Sequence, residues 1–355
     1  MNKIFVITSI LLGGAMTVAA QTRVEKKVAT KAGGYGVTYS LPKTSLIINV
    51  EVTKTTCKAG PYYKYAEKYL GVTDAVTEDR VNYELGKFTL TNKGIPDANN
   101  TYTVEFKAGT VAPYAYLTED GLLCCINAEY TPQAPAIEKA MENETASKSS
   151  SAVFTEELLM AGSMVRQAEV AAKQIFHIRE SRMNILTGDS ENLPPDGEAM
   201  KLVIKKLEDE EAVLTRLFTG MCTKETSYYD VTLIPQEDLE EEVLFRFSRK
   251  LGILDADDLG GEPIYISLKA SERAPVLDPK EAEKKAKSMK GLIYNVPGKA
   301  QIEIKSGLKT LYKGEIPVVQ FGTTESLAPT LFEDKKNPVK IFFYPETGAI
   351  KQIIQ

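Results

Sequence analysis

The side chains able to do chemistry are few in this chain, and their surroundings do not organise them. There is one histidine, His177, in 355 residues. A Ser-His-Asp triad would have to be built on it, and no Gly-x-Ser-x-Gly elbow stands in the chain. Its neighbours Ile175, Ile178 and Arg179 fit a helix-packing role better. A zinc site of several histidines is excluded by the same count, and the cysteines do not have Cys-x-x-Cys spacing. Gly33-Gly34-Tyr35-Gly36 has the glycines of a phosphate loop, but no strand pattern precedes it and no helix follows. The acidic run over 237–242 lacks the spaced Asp/Asn ligands and glycine of a calcium loop, and reads as a solvated turn. No cofactor and no metal is expected.

Three arrangements remain. Tyr62, Tyr63, Tyr65 and Tyr69 crowd a short helical segment opened by Gly60-Pro61 and closed by Gly71. They form either an aromatic platform for a sugar or peptide, or the half-buried face of a helix packed on a sheet. Paired carboxylates, the machinery of glycoside hydrolysis, are available among 48 acids, although the chain has no tryptophan to stack on a sugar. The third arrangement is ionic. Arg179 and Arg182 interrupt an apolar helical row, and Glu210 interrupts the facing one between Leu207 and Leu214. Either the arginines snorkel to water or they are held by carboxylates, with Glu208, Glu210, Glu211, Asp189 and Asp196 as candidates. Truncating a buried Arg182 would cost about 3–5 kcal/mol, against under ~1 for a surface pair.

The arginines belong to the stretch that organises the chain. Thr155 is a suitable N-cap, and Leu158, Gly162, Val165, Ala168, Ala172 and Ile175 recur at helical spacing. The pattern reaches Gly188, giving one helix of roughly 33 residues and 50 Å at the standard rise. Pro194-Pro195 break it, Asp196 caps a second helix, and Ala199, Val203, Leu207, Leu214 and Leu217 line that helix up to Gly220. A short connection between two amphipathic helices makes an antiparallel hairpin.

Either side of the helices is β-type. Leu46 to Val52 alternate, strands follow at about 81–91 and 101–107 around Asn92-Lys93-Gly94 and Pro96-Asp97, and a hairpin turns at Asp120-Gly121. Beyond Gly220, alternating strands and turns at high density suggest a two-sheet sandwich, with a solvated helix over 279–290. The fold class is therefore α+β. Residues 21–130 form an amino-terminal antiparallel β domain, and 131–151, poor in large apolar residues, a linker. The helical hairpin spans 152–220, and a β-sandwich-like domain 221–355.

Several strings resemble an exported Bacteroidetes family of unknown function. They are Gln174-Ile175-Phe176-His177-Ile178-Arg179-Glu180-Ser181-Arg182, Leu186-Thr187-Gly188-Asp189, Pro195-Asp196-Gly197-Glu198, Leu217-Phe218-Thr219-Gly220, Gly60-Pro61-Tyr62 with Tyr65-Ala66-Glu67 and Leu70-Gly71, and Gln320-Phe321-Gly322. The resemblance covers nearly the whole mature chain and brings no activity with it. Independently, residues 1–20 read as a secretory signal: Lys3, an apolar core, and Val18-Ala19-Ala20 before Gln21. No later segment approaches the ~18 apolar residues of a membrane span. Removing Lys3 with the leader leaves 42 basic residues against 48 acids, a net of −6, and no basic aromatic cluster, so nucleic acid is not an expected partner. Cys57, Cys124, Cys125 and Cys222 are either bridged or small buried hydrophobes. Cys124 and Cys125, adjacent on a strand, should face opposite ways, with at most one towards the core. The expectation is a non-catalytic binding or scaffolding protein of a Gram-negative envelope, at the periplasm or cell surface, whose partner is an envelope protein or glycan. The alternative is a carboxylate-pair glycoside hydrolase or glycan binder.

Overall fold

The computed structural model describes residues 23–26, 36–105, 115–131, 154–189, 197–332 and 338–355. The expected leader, the 131–151 linker beyond Thr131, and the turn over 190–196 with Asp196 lie outside the described residues. The chain starts with β1 (Arg23–Lys26), β2 (Gly36–Lys58), a 3-10 turn (Tyr63–Tyr65), α1 (Ala66–Leu70) and β3 (Arg80–Glu105). A short pair follows, β4 (Ala115–Leu117) and β5 (Leu123–Ile126). Three helices come next: α2 (Glu156–Met160), α3 (Met164–Thr187) and α4 (Gly197–Thr219). Then come β6 (Met221–Leu233), β7 (Leu239–Ser248), β8 (Gly252–Leu254), β9 (Glu262–Glu272) and α5 (Pro279–Ser288). The chain closes with β10 (Leu292–Ser306), β11 (Lys309–Leu327), β12 (Lys340–Phe343) and β13 (Ile350–Ile354). The fold is α+β, and its strand ladders are antiparallel.

The sheets cut across the boundaries expected near residues 130 and 221. The first has the order β1-β3-β2-β6, the second β11-β10-β9-β7-β8, and the third β13-β12-β5-β4. The amino- and carboxy-terminal β parts therefore share two sheets. Alternation along a strand marks its buried face, but its lateral partner is chosen through backbone groups that carry no residue code. The first two sheets share one core. Leu46, Ile48, Val50 and Val52, every second residue of β2, cluster with Ile264, Ile266 and Leu268 of β9 and Ile302 and Ile304 of β10. The third sheet closes a second core, with Tyr39, Tyr102, Leu123, Ile126, Leu292 and Ile341.

Two local expectations are corrected. Asn92-Lys93-Gly94 is not a turn between two strands: it pairs in register with Leu46, Ser45 and Thr44 inside the 26-residue β3. Gly94 is needed for close approach instead, since a Cβ there would lie 2.4 Å from the Pro345 carbonyl oxygen. The irregularity comes at Asp97, whose carboxylate accepts from Asn99 N at 3.0 Å and Asn100 Nδ2 at 2.7 Å, and pairs with Lys43 at 3.0 Å.

The second correction concerns the long helix, which is two. Ala161 is extended, and Ser163 caps α3 by accepting from Arg166 N at 3.3 Å. Gly162 disfavours helix by about 1 kcal/mol relative to alanine, and serine competes for the cap position. Thr155 stands at the start of α2 but does not cap it; its hydroxyl accepts from Gln174 Nε2.

The helices are anchored to the first sheet at one junction. A disulfide joins Cys57 on β2 to Cys222 on β6, two residues beyond Gly220. A Cβ at Gly60 would meet Leu217 O at 2.3 Å, and Tyr62 N donates to that carbonyl at 2.8 Å. Val76 N donates to Thr219 O at 2.8 Å, so the last carbonyls of α4 are met by the loop packed against them.

Candidate functional site

From that junction the apolar base of the helices is built. Leu158, Ala168, Ala171, Ala172 and Ile175 cluster with Leu214 and Phe218 of α4 and with Tyr62 and Ala66. Next to this base sits the ionic cluster. Glu211, only 14% exposed, accepts a hydrogen bond from Arg179 Nε on Oε1 at 2.6 Å, and its Oε2 forms an ion pair with Arg182 Nη1 at 2.9 Å, without the geometry of a hydrogen bond. Arg182 also lies 3.9 Å from Glu208. The guanidinium of Arg179 stands 5.6 Å from the Phe176 ring centroid.

The carboxylate that joins the helices is thus Glu211 and not Glu210, which is exposed and in no ion pair among the described residues. The physical reason is the position of the α4 stripe. It is centred on the row Leu207, Glu211, Leu214, Phe218, with Phe218 fully buried, rather than on the row through Glu210 and Leu217. Asp189 is exposed and accepts from Thr187 Oγ1 at 2.8 Å, just past Gly188, which ends α3 at a φ of 82°. Because Arg182 keeps 29% of its side chain in solvent, the fully buried case does not apply. Arg182→Ala should lower stability by about 1–2 kcal/mol, between the exposed and buried limits, as read by chemical denaturation.

The four tyrosines do not share one face. Tyr62 is buried, its ring 5.5 Å from Phe218 and its hydroxyl donating to Gln167 Oε1 at 3.4 Å. Tyr65 and Tyr69 lie 6.2 Å apart and pack half-buried on the helical base. Tyr63 is half-buried with Lys64 5.8 Å above its ring. Tyr62 is a core residue, and Tyr65 and Tyr69 pack beside it on the helical base.

Cys124 and Cys125 are both completely buried, against the expectation of one outward thiol. β5 lies between β12 and β4, so its edges are covered, and all four of its residues are buried. Burial, with Cys125 and Glu346 nearby, pushes the Cys124 thiol up to about 11, and burial raises Cys125 as well. A soluble thiol reagent at pH ~8 should therefore label neither cysteine in the folded protein. After unfolding without reductant it should count the two free thiols.

The string around Gln320 is a clasp. Gln320 Nε2 donates to Thr44 O at 2.9 Å, its Oε1 accepts from Thr44 N at 3.1 Å, and Thr44 Oγ1 accepts from Val319 N at 2.9 Å. A side-chain amide here takes the place of a neighbouring strand, tying β11 to β2. Phe321 carries Arg273 at 4.3 Å, and a Cβ on Gly322 would lie 2.0 Å from Val296 O. None of this was readable from Gln320 in sequence, because an exposed and a clasping glutamine look alike.

A shallow depression at the connection of α2 and α3 is lined by Glu156, Glu157, Met160, Ala161, Gly162 and Arg166. It has two carboxyl groups but no aromatic wall, and Glu157 lies 3.7 Å from Arg166. His177 is exposed on α3. Among the described residues, no group of three His, Cys, Asp or Glu is placed to hold a metal ion, and no helix is long and apolar enough to cross a membrane. Apolar side chains do stand in solvent on the helices: Leu159, Met160, Phe176, Met183, Leu186 and Leu202 are each at least half exposed.

These features define an α+β protein of three antiparallel sheets with a helical layer fastened to one of them. A family described as a domain of unknown function, DUF4831, matches residues 35–351, and the chain belongs to it. No curated protein and no solved structure matches the chain.

Proposed function

We propose that this is an exported, non-catalytic binding or scaffolding protein of a Gram-negative cell envelope, acting in the periplasm or at the cell surface. The observation that carries the reading is the solvent-facing apolar set on α2, α3 and α4. Large apolar side chains left in solvent are the material of surfaces that meet a partner. In this reading α3 and α4 form an antiparallel hairpin. Its support is the order of contacts, with Arg179 and Arg182 meeting Glu211 while residues 168–175 cluster with Leu214 and Phe218. The first two sheets, sharing one core, form the sandwich on which it is mounted. Export is supported by the Lys3-to-Ala20 leader pattern and by the Cys57–Cys222 disulfide, a bond favoured in oxidising compartments.

The test compares the tagged protein with a Phe176→Asp, Met183→Asp variant as bait in envelope extracts. Both side chains are exposed, so the variant should melt with the parent and recover markedly less of any specific envelope partner. Equal recovery by the two baits overturns the assignment of the helices as the binding surface. Mass spectrometry of the exported protein should find Gln21 at its amino terminus; an intact Met1 overturns the export reading.

A further inference from the structure

The first sheet ends in an unusual edge. β6 is 13 residues long, against a typical ~5–6, and pairs with β2 without a register shift from Met221 to Leu233. Among the described residues nothing pairs with its other side. It contains no proline and no bulge, two of the usual guards of a free edge, and its charges Lys224, Glu225 and Asp230 are of both signs. The other edges are guarded or short. β3, which β1 covers only from Tyr102 to Glu105, carries Pro96 and two register shifts against β2. β11 carries Pro317 and two register shifts, β4 and β8 have three residues each, and β13 has five. From residue 224 to 230 the side chains of β6 are exposed on both faces, Tyr228 and Tyr229 included.

The direction of its free backbone groups follows from the disulfide pair. Cys57 and Cys222 have Cα atoms 4.0 Å apart, the close spacing of a non-hydrogen-bonded pair. Residue 222, and with it 224, 226, 228, 230 and 232, thus turns N–H and C=O away from β2, towards the open edge. Those residues also carry a self-complementary pattern. Laid antiparallel on itself about Ser227, the strand sets Lys224 opposite Asp230, Thr226 opposite Tyr228, and Met221 opposite Leu233. Asp230 is oriented by Asn49 Nδ2 at 2.8 Å, and Lys224 has no ion pair among the described residues.

We propose that β6 is a dimerisation edge: two copies of this chain join through antiparallel β6 strands across a two-fold axis at Ser227. The first sheets merge into one continuous sheet, and each axis-related Lys224 and Asp230 pair closes on the same face. Main-chain hydrogen bonds supply the attachment, and the charge pattern sets the register. This inference does not depend on the role given to the helices.

Sedimentation of the purified protein should find a dimer at micromolar concentration. Ser227→Cys should form an intermolecular disulfide on mild oxidation, and Glu225→Cys, opposite Tyr229, should not. Thr226→Pro removes an edge-facing donor without touching the β2 ladder, and should give a folded monomer whose melting temperature no longer depends on protein concentration. Lys224→Asp should raise the dimer Kd about tenfold through like charges on the pair, and adding Asp230→Lys should bring it back. A monomer at all concentrations overturns the proposal. So does a dimer that survives both Thr226→Pro and Lys224→Asp, or one that cross-links through Glu225→Cys but not Ser227→Cys.

Discussion

Replacing Cys57 and Cys222 together by serine should lower the unfolding free energy by about 2–5 kcal/mol. The bonded residues are 165 apart in sequence, so breaking the bond releases a long loop in the unfolded chain. The chain-entropy relation puts the ceiling near ~5 kcal/mol for a loop of that size. In a domain of this length the thermal midpoint should fall by roughly 3–7 °C. The loss should also be local. The bond closes the junction at which Gly60 meets Leu217 O and Gly220 meets Lys58 O, each within 2.5 Å of an added Cβ. Hydrogen exchange of Leu214 to Phe218 should therefore accelerate more than that of Ile302 and Ile304 in the second sheet. A double-serine variant with native stability would show that the glycine contacts hold the junction unaided.

Tyr39→Phe should cost about 2–4 kcal/mol, a large effect for one oxygen atom. Tyr39 is 1% exposed, and its hydroxyl donates to Ile293 O at 2.9 Å while accepting from Ile293 N at 3.1 Å. β9 pairs with β10 only over Lys299 to Ser306, so the earlier half of β10 has no β9 strand beside it. The Tyr39 hydroxyl serves Ile293, and Gly348 O accepts from Asn295 N at 3.1 Å. Phenylalanine fills the space but leaves a buried donor and a buried acceptor unmet. Burial raises the Tyr39 hydroxyl above its ordinary value, opposed by the Ile293 bond. The neutral hydroxyl is thus favoured in the fold. Its contribution is fully present below the unfolded tyrosine value near ~10 and is lost as pH rises beyond it. The variant should lack that part of the alkaline loss. Equal stability of the two proteins at neutral pH would mean that Ile293 finds other partners.

Much of the local structure was legible because it is written in neighbouring residues. Asp278 caps α5 through Lys280 N and Glu281 N with Pro279 behind it, as a helix start over 279–290 requires. The alternation in Leu46 to Val52 identifies a buried face whichever strands lie beside it. The arginines at 179 and 182 were recognisable as charges on an apolar row. Their partner was not, because Glu210 and Glu211 differ by one helical step, and a rotation of α4 set by Phe218 separates them. Asn92-Lys93-Gly94 misled for a different reason. A glycine in a turn and a glycine under a crossing backbone are the same letter, and Pro345 is far away in the chain.

By itself, then, the sequence determined the α+β class, the faces of the strands, the helical layer between β regions, and the scarcity of histidine and of metal-ligand spacings. These are properties of composition and of residues a few positions apart, governed by periodicity and capping. Only the tertiary structure decided that Cys57 meets Cys222, that Gln320 stands in for a strand beside Thr44, and that β6 ends the first sheet on an edge unpaired among the described residues. Each of those depends on which backbone lies beside which, a choice made by ladder hydrogen bonds and close approach over long separations, and the identity of a single residue does not encode it.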